Sequence, residues 1–199
     1  MYPKLTLPVK HRSLSYVKKF KKRLRPHAPL LLYFVYLFYV KRFLRDMLPL
    51  HIVLVRPEIP HNTGAIGRVC VGLDCALHLI RPLGFHLDAH HLKRAGMDYW
   101  QHVHLAIHDT WEAFLETVKP AHLFFLSTRG EQSLYSCSFT ANDALVFGNE
   151  SSGLPEPFYD TYREQLFKIP MPGEHARSIN LANAVSLTAY EAYRQLSSK

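Results

Sequence analysis

From residue 47 onward the chain alternates short apolar runs with stretches whose apolar positions recur at helical spacing. The run His51-Ile52-Val53-Leu54-Val55 reads as a buried strand, and similar runs predict strands at 77–80, 103–107, 123–127, 145–147 and 166–169. Between them, helices are predicted at 62–73, opened by Asn62 as N-cap, and at 88–95 and 110–118. The last helix opens at Ser178 as N-cap and runs to about Leu196. Its apolar stripe is Ala182, Val185, Ala189, Ala192 and Leu196, small enough for another backbone to approach closely. Strands separated by helices predict an α/β fold, a mostly parallel sheet with helices on both faces. Ligands of such folds sit beyond the carboxyl ends of the strands. Three loops there are rich in Gly, Pro and polar residues: 57–64, 148–155 and 170–178.

Composition changes this picture mainly at the amino terminus. The formal net charge is +8, with 24 Lys and Arg against 16 Asp and Glu. Residues 1–46 hold twelve of those cations and one acid, so residues 47–199 carry twelve against fifteen. Bulk charge therefore gives the folded part no affinity for nucleic acid, and any such affinity needs a local cluster. The candidates are Arg56, Arg68, Arg81, Lys93, Arg94 and Arg129. In the extension, a basic run precedes eleven apolar residues, Leu30 to Val40. Eleven are too few for a helix to span a bilayer, and no small-residue cleavage site follows. Residues 1–46 are expected to lie outside the fold, and residues 47–199 to form one domain. Met47, directly before the first strand, is a candidate start. Cys70, Cys75 and Cys137 form neither a metal motif nor a disulfide framework, which predicts a reducing, cytoplasmic setting. The histidines His86, His90, His91, His102, His104, His108 and His122 match no metal spacing, and no metal is expected.

Three stretches carry candidate chemistry. In Asn62-Thr63-Gly64-Ala65-Ile66-Gly67-Arg68, Gly64 and Arg68 share a helical face. The arginine leans toward the helix start, where it can grip an anion such as a phosphate. A surface arginine beside a packing glycine fits the same residues. So does half of a dinucleotide fingerprint, although Asn62 occupies its first glycine position. In Gly148-Asn149-Glu150-Ser151-Ser152-Gly153-Leu154, glycines leaving a strand would let a ligand touch the backbone; a plain turn is the alternative. In Arg177-Ser178-Ile179-Asn180-Leu181-Ala182-Asn183, a loop delivers polar groups to a helix N-terminus, and Asn180 and Asn183 share a face.

Taken together, the pattern resembles a known family. Asn62-x-Gly64-x-x-x-Arg68, Gly148-Asn149-Glu150-x-x-Gly153-Leu154 and Arg177-Ser178-Ile179-Asn180-Leu181-x-Asn183-x-Val185-Ser186 are similar, in order and spacing, to the three motifs of the SPOUT RNA methyltransferases. Pro57-Glu58-Ile59-Pro60, Arg94-Ala95-Gly96-x-Asp98-Tyr99 and Tyr190-Glu191-Ala192 narrow the resemblance to the minimal tRNA wobble-position ribose 2′-O-methyltransferases of the TrmL type. It covers residues 47–199 and leaves 1–46 without a counterpart.

The resemblance implies a C-terminal deep trefoil knot, a rare exception to ordinary chain topology. It implies S-adenosyl-L-methionine as cofactor, contacted by Leu126, Gly148, Ile169 and Ser178, with Met171 and Leu181 as neighbours. It implies the anticodon stem-loop of tRNA as substrate, methylated on a cytidine or modified uridine, and a homodimer whose sites draw on both subunits. The small-residue face of the terminal helix suits that interface. Arg68 and Tyr190 are the expected catalytic pair, Arg68 holding the phosphate beside the target ribose and Tyr190 placing the nucleotide, from the partner subunit. Asn62, Glu150, Asn180 and Asn183 are expected to shape the pocket and substrate site. The rivals are a nicotinamide-dinucleotide oxidoreductase and a non-catalytic RNA-binding module on the same fold. The first is weakened by Asn62 and by Arg81, which stands where a ribose-binding acid belongs.

Overall fold

The computed structural model describes residues 50–86 and 98–198. The extension 1–46 and the helix expected at 88–95 lie outside the described residues, as do Lys93 and Arg94. Strands β1 (Leu50–Val55), β2 (Ala76–Ile80), β3 (His104–His108), β4 (Leu123–Leu126), β5 (Gln132–Ser133), β6 (Asp143–Phe147) and β7 (Leu166–Lys168) form one sheet in the order β3-β2-β1-β6-β4-β7-β5. Every pairing is parallel. Helices α1 (Pro60–Leu73), α2 (Trp111–Val118), α3 (Glu156–Thr161) and α4 (Leu181–Ser197) complete the α/β architecture.

Burial on both faces explains the nearly unbroken apolar sequence of the central strands. One core cluster joins Ile52, Leu54, Leu77 and Leu145 to Ile66 of α1 and Val185 of α4. The other joins Val53, Phe125 and Val146 to Trp111 and Phe114 of α2. The alternation along β1 thus sends successive side chains into different cores. Cys70, Cys75 and Cys137 are buried and free. Burial pushes the Cys70 thiol up, and pushes those of Cys75 and Cys137 up to about 12. Such thiols stay protonated and behave as small apolar residues.

Both predicted caps move. Helix α1 starts at Pro60, with Ile59 as N-cap and no side-chain cap of its own. Proline suits the first helical position because its φ is preset and its missing N–H is not needed there. Asn62 is therefore inside the helix and buried. Helix α4 is capped by Asn180, whose Oδ1 accepts from the Ala182 and Asn183 amides at 2.8 and 3.4 Å, not by Ser178. Its small residues Ala182, Val185, Ala189 and Ala192 are all buried in the chain's own core. That face is spent inside the protomer and is not available as an interface. Leu187, Tyr190 and Tyr193 are the exposed ones, at 48, 55 and 46%. Elements the sequence pattern did not announce are β5, α3 and the 3-10 turns at Asp98–His102, Leu134–Ser136 and Arg163–Gln165.

The strand order also fixes a chain crossing. β7 lies between β4 and β5, so segment 127–131, which joins those two, has to pass across β7. Ser127 N donates to Phe167 O at 2.9 Å, and a Cβ on Gly130 would stand 2.5 Å from the Phe167 carbonyl carbon. No helix among the described residues is long and apolar enough to cross a membrane.

Candidate active site

The loops that follow β1, β4, β6 and β7 gather at the carboxyl ends of the strands, where the strand order reverses on either side of β1 and β6. They enclose a cavity of about 470 Å³. That is within the range of small-molecule sites.

Two of the loops are tied together by exchanged carboxylates. Glu150, after β6, accepts from the backbone amides of Glu58 and Ile59 at 2.9 and 3.3 Å and from Asn62 Nδ2 at 2.9 Å. It supplies the anion that the first turn of α1 lacks, so its charge also meets the positive end of that helix. In return Glu58 accepts from Asn149 Nδ2 at 3.1 Å and from the Ser151 hydroxyl. Asn149 Oδ1 accepts from Ser152 N and Gly153 N at 2.7 and 3.0 Å, which closes the turn on itself. The third loop joins through Asn180, whose Nδ2 donates to Asn62 Oδ1 at 3.0 Å. Since a carboxylate only accepts, the amide orientation of Asn62 is settled: nitrogen to Glu150, oxygen to Asn180.

Gly148 makes this arrangement possible. A Cβ there would meet the Gly153 carbonyl carbon at 2.0 Å, and Gly153 itself has φ 76°. The loop doubles back hard against the strand end and exposes backbone to the cavity.

Of the residues singled out in the sequence, Leu126, Gly148, Ile169, Met171, Ser178, Leu181, Asn62, Glu150 and Asn180 line this one cavity. Arg68, Tyr190 and Asn183 do not line it. Arg68 lies on the face of α1 that carries Gly64, with its Cζ 4.6 Å from the centroid of the Tyr99 ring. Sequence reasoning passed over Ser127, Thr128 and Tyr159, which also line the cavity, as does Arg129, expected only as part of a cationic cluster. The signal was there: they follow or face the end of β4, a fourth loop at the same edge of the sheet. Arg129 lies flat over Tyr159, 3.5 Å from the ring centroid, and its Nη1 donates to Glu156 at 2.7 Å. The Glu156 carboxylate pushes the Arg129 pKa further up. Arg81 pairs with Asp109 at 3.3 Å. Among the described residues, the expected cationic cluster therefore leaves Arg56 and Arg68 without an acidic partner. Among those residues, no group of His, Cys, Asp and Glu is placed to hold a metal ion.

Residues 49–190 match the SpoU rRNA Methylase family. A tRNA (cytidine(34)-2′-O)-methyltransferase of Yersinia pestis is 47% identical over 153 residues, covering 74% of this chain and 94% of that protein. A solved structure described as giving structural insights into the 2-OH methylation of C/U34 on tRNA is 53% identical. It aligns with a TM-score of 0.68 over 75% of this chain and 97% of its own. An rRNA methyltransferase from Sinorhizobium meliloti, solved with AdoMet bound, is 26% identical with a TM-score of 0.62, over 77% of this chain and 60% of that one.

Proposed function

Because the chain belongs to the SpoU methylase family, we propose that it is an S-adenosyl-L-methionine-dependent methyltransferase acting on the ribose 2′-OH of a tRNA wobble nucleotide, cytidine or modified uridine. The observation that carries this reading is that the three motif loops wall one cavity together. Its lining fits the cofactor by chemistry. Leu126, Ile169, Met171 and Leu181 offer apolar contact to an adenine, while Ser178 and the loop backbone at Gly148 offer polar partners.

When bound, the cofactor supplies a methyl group already activated on a sulfonium. The rest of the work belongs to side chains. Transfer would exchange the methyl–sulfur bond for a new O–C bond, with the 2′-OH proton passing to water, so this chain's residues have to hold the ribose oxygen toward the donor. Positioning of this kind contributes roughly 7–11 kcal/mol in favourable cases. Arg68 holds the phosphate beside the target ribose and favours the developing alkoxide; as a guanidinium it stays protonated and acts by charge. Asn62, Glu150 and Asn180 hold the cavity wall rigid through their shared hydrogen bonds.

The reading extends to a homodimer. Arg68, Tyr190 and Asn183 are exposed and outside the cavity of their own protomer, as expected of residues that complete a partner's site. Leu187, Tyr190 and Tyr193 form an apolar face on α4 that suits a second copy. The reading also extends to the knot: segment 127–131 is the strap under which the chain after β7 passes. tRNA is the partner and the cytoplasm the setting. Digestion of anticodon stem-loop RNA after incubation with protein and cofactor, followed by mass spectrometry, should find one added methyl on the wobble ribose. An unmodified ribose, or a methyl on a base, overturns the reading. Arg68→Ala should abolish turnover while cofactor affinity by calorimetry stays nearly intact; equal loss of both would remove Arg68 from its role.

A further inference from the structure

We infer that Tyr99 is a positioning residue for Arg68, holding the guanidinium by its ring face in the orientation the phosphate of the substrate meets. The inference rests on the methyltransferase reading and adds a residue to it.

The 3-10 turn Asp98–His102 is laid onto one face of α1. Three contacts fix it there. Gly67 has no side chain, and a Cβ at that position would stand 2.5 Å from Trp100 Cζ3, so the glycine is what admits the indole. The Tyr99 hydroxyl donates to Gly64 O at 2.9 Å. By the helical pattern, that same carbonyl accepts from the Arg68 amide, so the tyrosine is anchored to the turn from which Arg68 projects. The Tyr99 ring then lies under the guanidinium, 4.6 Å from centroid to Cζ. That is within the distance at which a ring quadrupole attracts a cation.

The geometry distinguishes orientation from charge neutralisation. Among the described residues, no carboxylate pairs with Arg68. Arg81 and Arg129, by contrast, are each held by an acid. An acid beside Arg68 would compete with phosphate for the same N–H donors. A ring face takes up none of them, because stacking leaves the edge of the guanidinium open for two parallel bonds to an anion. Tyr99 thus limits the rotamers of a long exposed side chain without consuming its hydrogen-bonding capacity. Less ordering is left for the substrate to supply.

The test uses the full chain and anticodon stem-loop RNA. Tyr99→Phe keeps the ring and should turn over within about threefold of the unmodified protein. Tyr99→Leu should lower kcat by roughly tenfold to a hundredfold, with cofactor affinity unchanged. A series with fluorinated phenylalanines at position 99 weakens the ring quadrupole at nearly constant shape. Turnover should fall step by step along it while the melting temperature stays level, a trend that packing alone does not produce. This series carries the test if the leucine variant does not fold. Full turnover in Tyr99→Leu, equal losses in the Phe and Leu variants, a flat fluorination series, or a matching loss of cofactor affinity would each overturn the inference. Absence of methylation by the unmodified protein would instead sink the functional reading, and this inference with it.

Discussion

Gly148 stands at the end of β6 with the backbone of Gly153 and Leu154 across the place where any side chain would begin. The distances there, 2.0 to 2.2 Å, are to backbone atoms, which cannot swing aside. Gly148→Ala should therefore push the turn 149–153 off the strand. The expected cost is about 1–3 kcal/mol, read by urea denaturation, together with loss of cofactor binding by calorimetry. Unchanged binding would show that the turn does not shape the pocket. The glycine itself was legible in the sequence, as a backbone surface offered to a ligand. The capping residues were not. Asn62 and Ser178 both have the local pattern of an N-cap, and neither is one. The anion that serves the start of α1 is Glu150, 88 residues from Asn62. Local spacing carries no information about a group delivered from that far along the chain.

At the scale of elements, the three strands β1, β2 and β3 carry a feature the sequence pattern concealed. His108 read as one of many scattered histidines, and His51 and His78 as part of apolar runs. The parallel register aligns them. His78 lies two positions beyond the partner of His51, and His108 two beyond the partner of His78, so all three share one face. Their rings form a chain with nitrogen–nitrogen distances of 3.0 Å at both steps. Asn142 ends it, accepting through Oδ1 from His51 Nε2 at 3.1 Å while its Nδ2 donates to Lys119 O. That fixes the order of protons: each ring donates from Nε2 and accepts at Nδ1. A second proton on His51 or His78 removes the Nδ1 acceptor that its neighbour needs. Burial lowers the pKa of all three, that of His78 to about 3. The Asn142 hydrogen bond and then the Asp143 charge act the other way on His51, as Asp109 does on His108, and Phe114 packs edge-on against His78 and His108. The unfolded chain takes up protons below about pH 6.5 that the folded chain refuses. Stability should therefore be level above that pH and fall steadily toward pH 4. Urea midpoints across this range should show the slope, and His78→Leu should flatten it. An equal slope in that variant would assign the acid sensitivity to other groups.

For the whole molecule, the α/β class and the strand positions were legible because they depend on apolar periodicity, which each segment carries by itself. The strand order was not legible, since β5 has two residues and β7 three. The knot is an expectation of the family resemblance and not of the periodicity. The small-residue face of α4 was read as an interface, yet α1 and the sheet consume it. The exposed large apolar residues of α4 are instead Leu187, Tyr190 and Tyr193, on the outer side, the face that the proposed dimer would cover. Leu187→Glu combined with Tyr193→Glu should halve the mass in sedimentation equilibrium and leave the fold intact by circular dichroism. A monomeric mass for the unmodified protein would overturn the dimer.

The cavity takes one of its walls from Ile169 through Ala184, residues that leave the ribosome after every strand has already been made. A nascent chain halted at Lys168 would own the complete set of strands and lack this wall of the proposed cofactor cavity. Such a truncated chain should therefore release no heat on titration with the cofactor, whereas the full chain should; equal binding by both would show that this wall is dispensable.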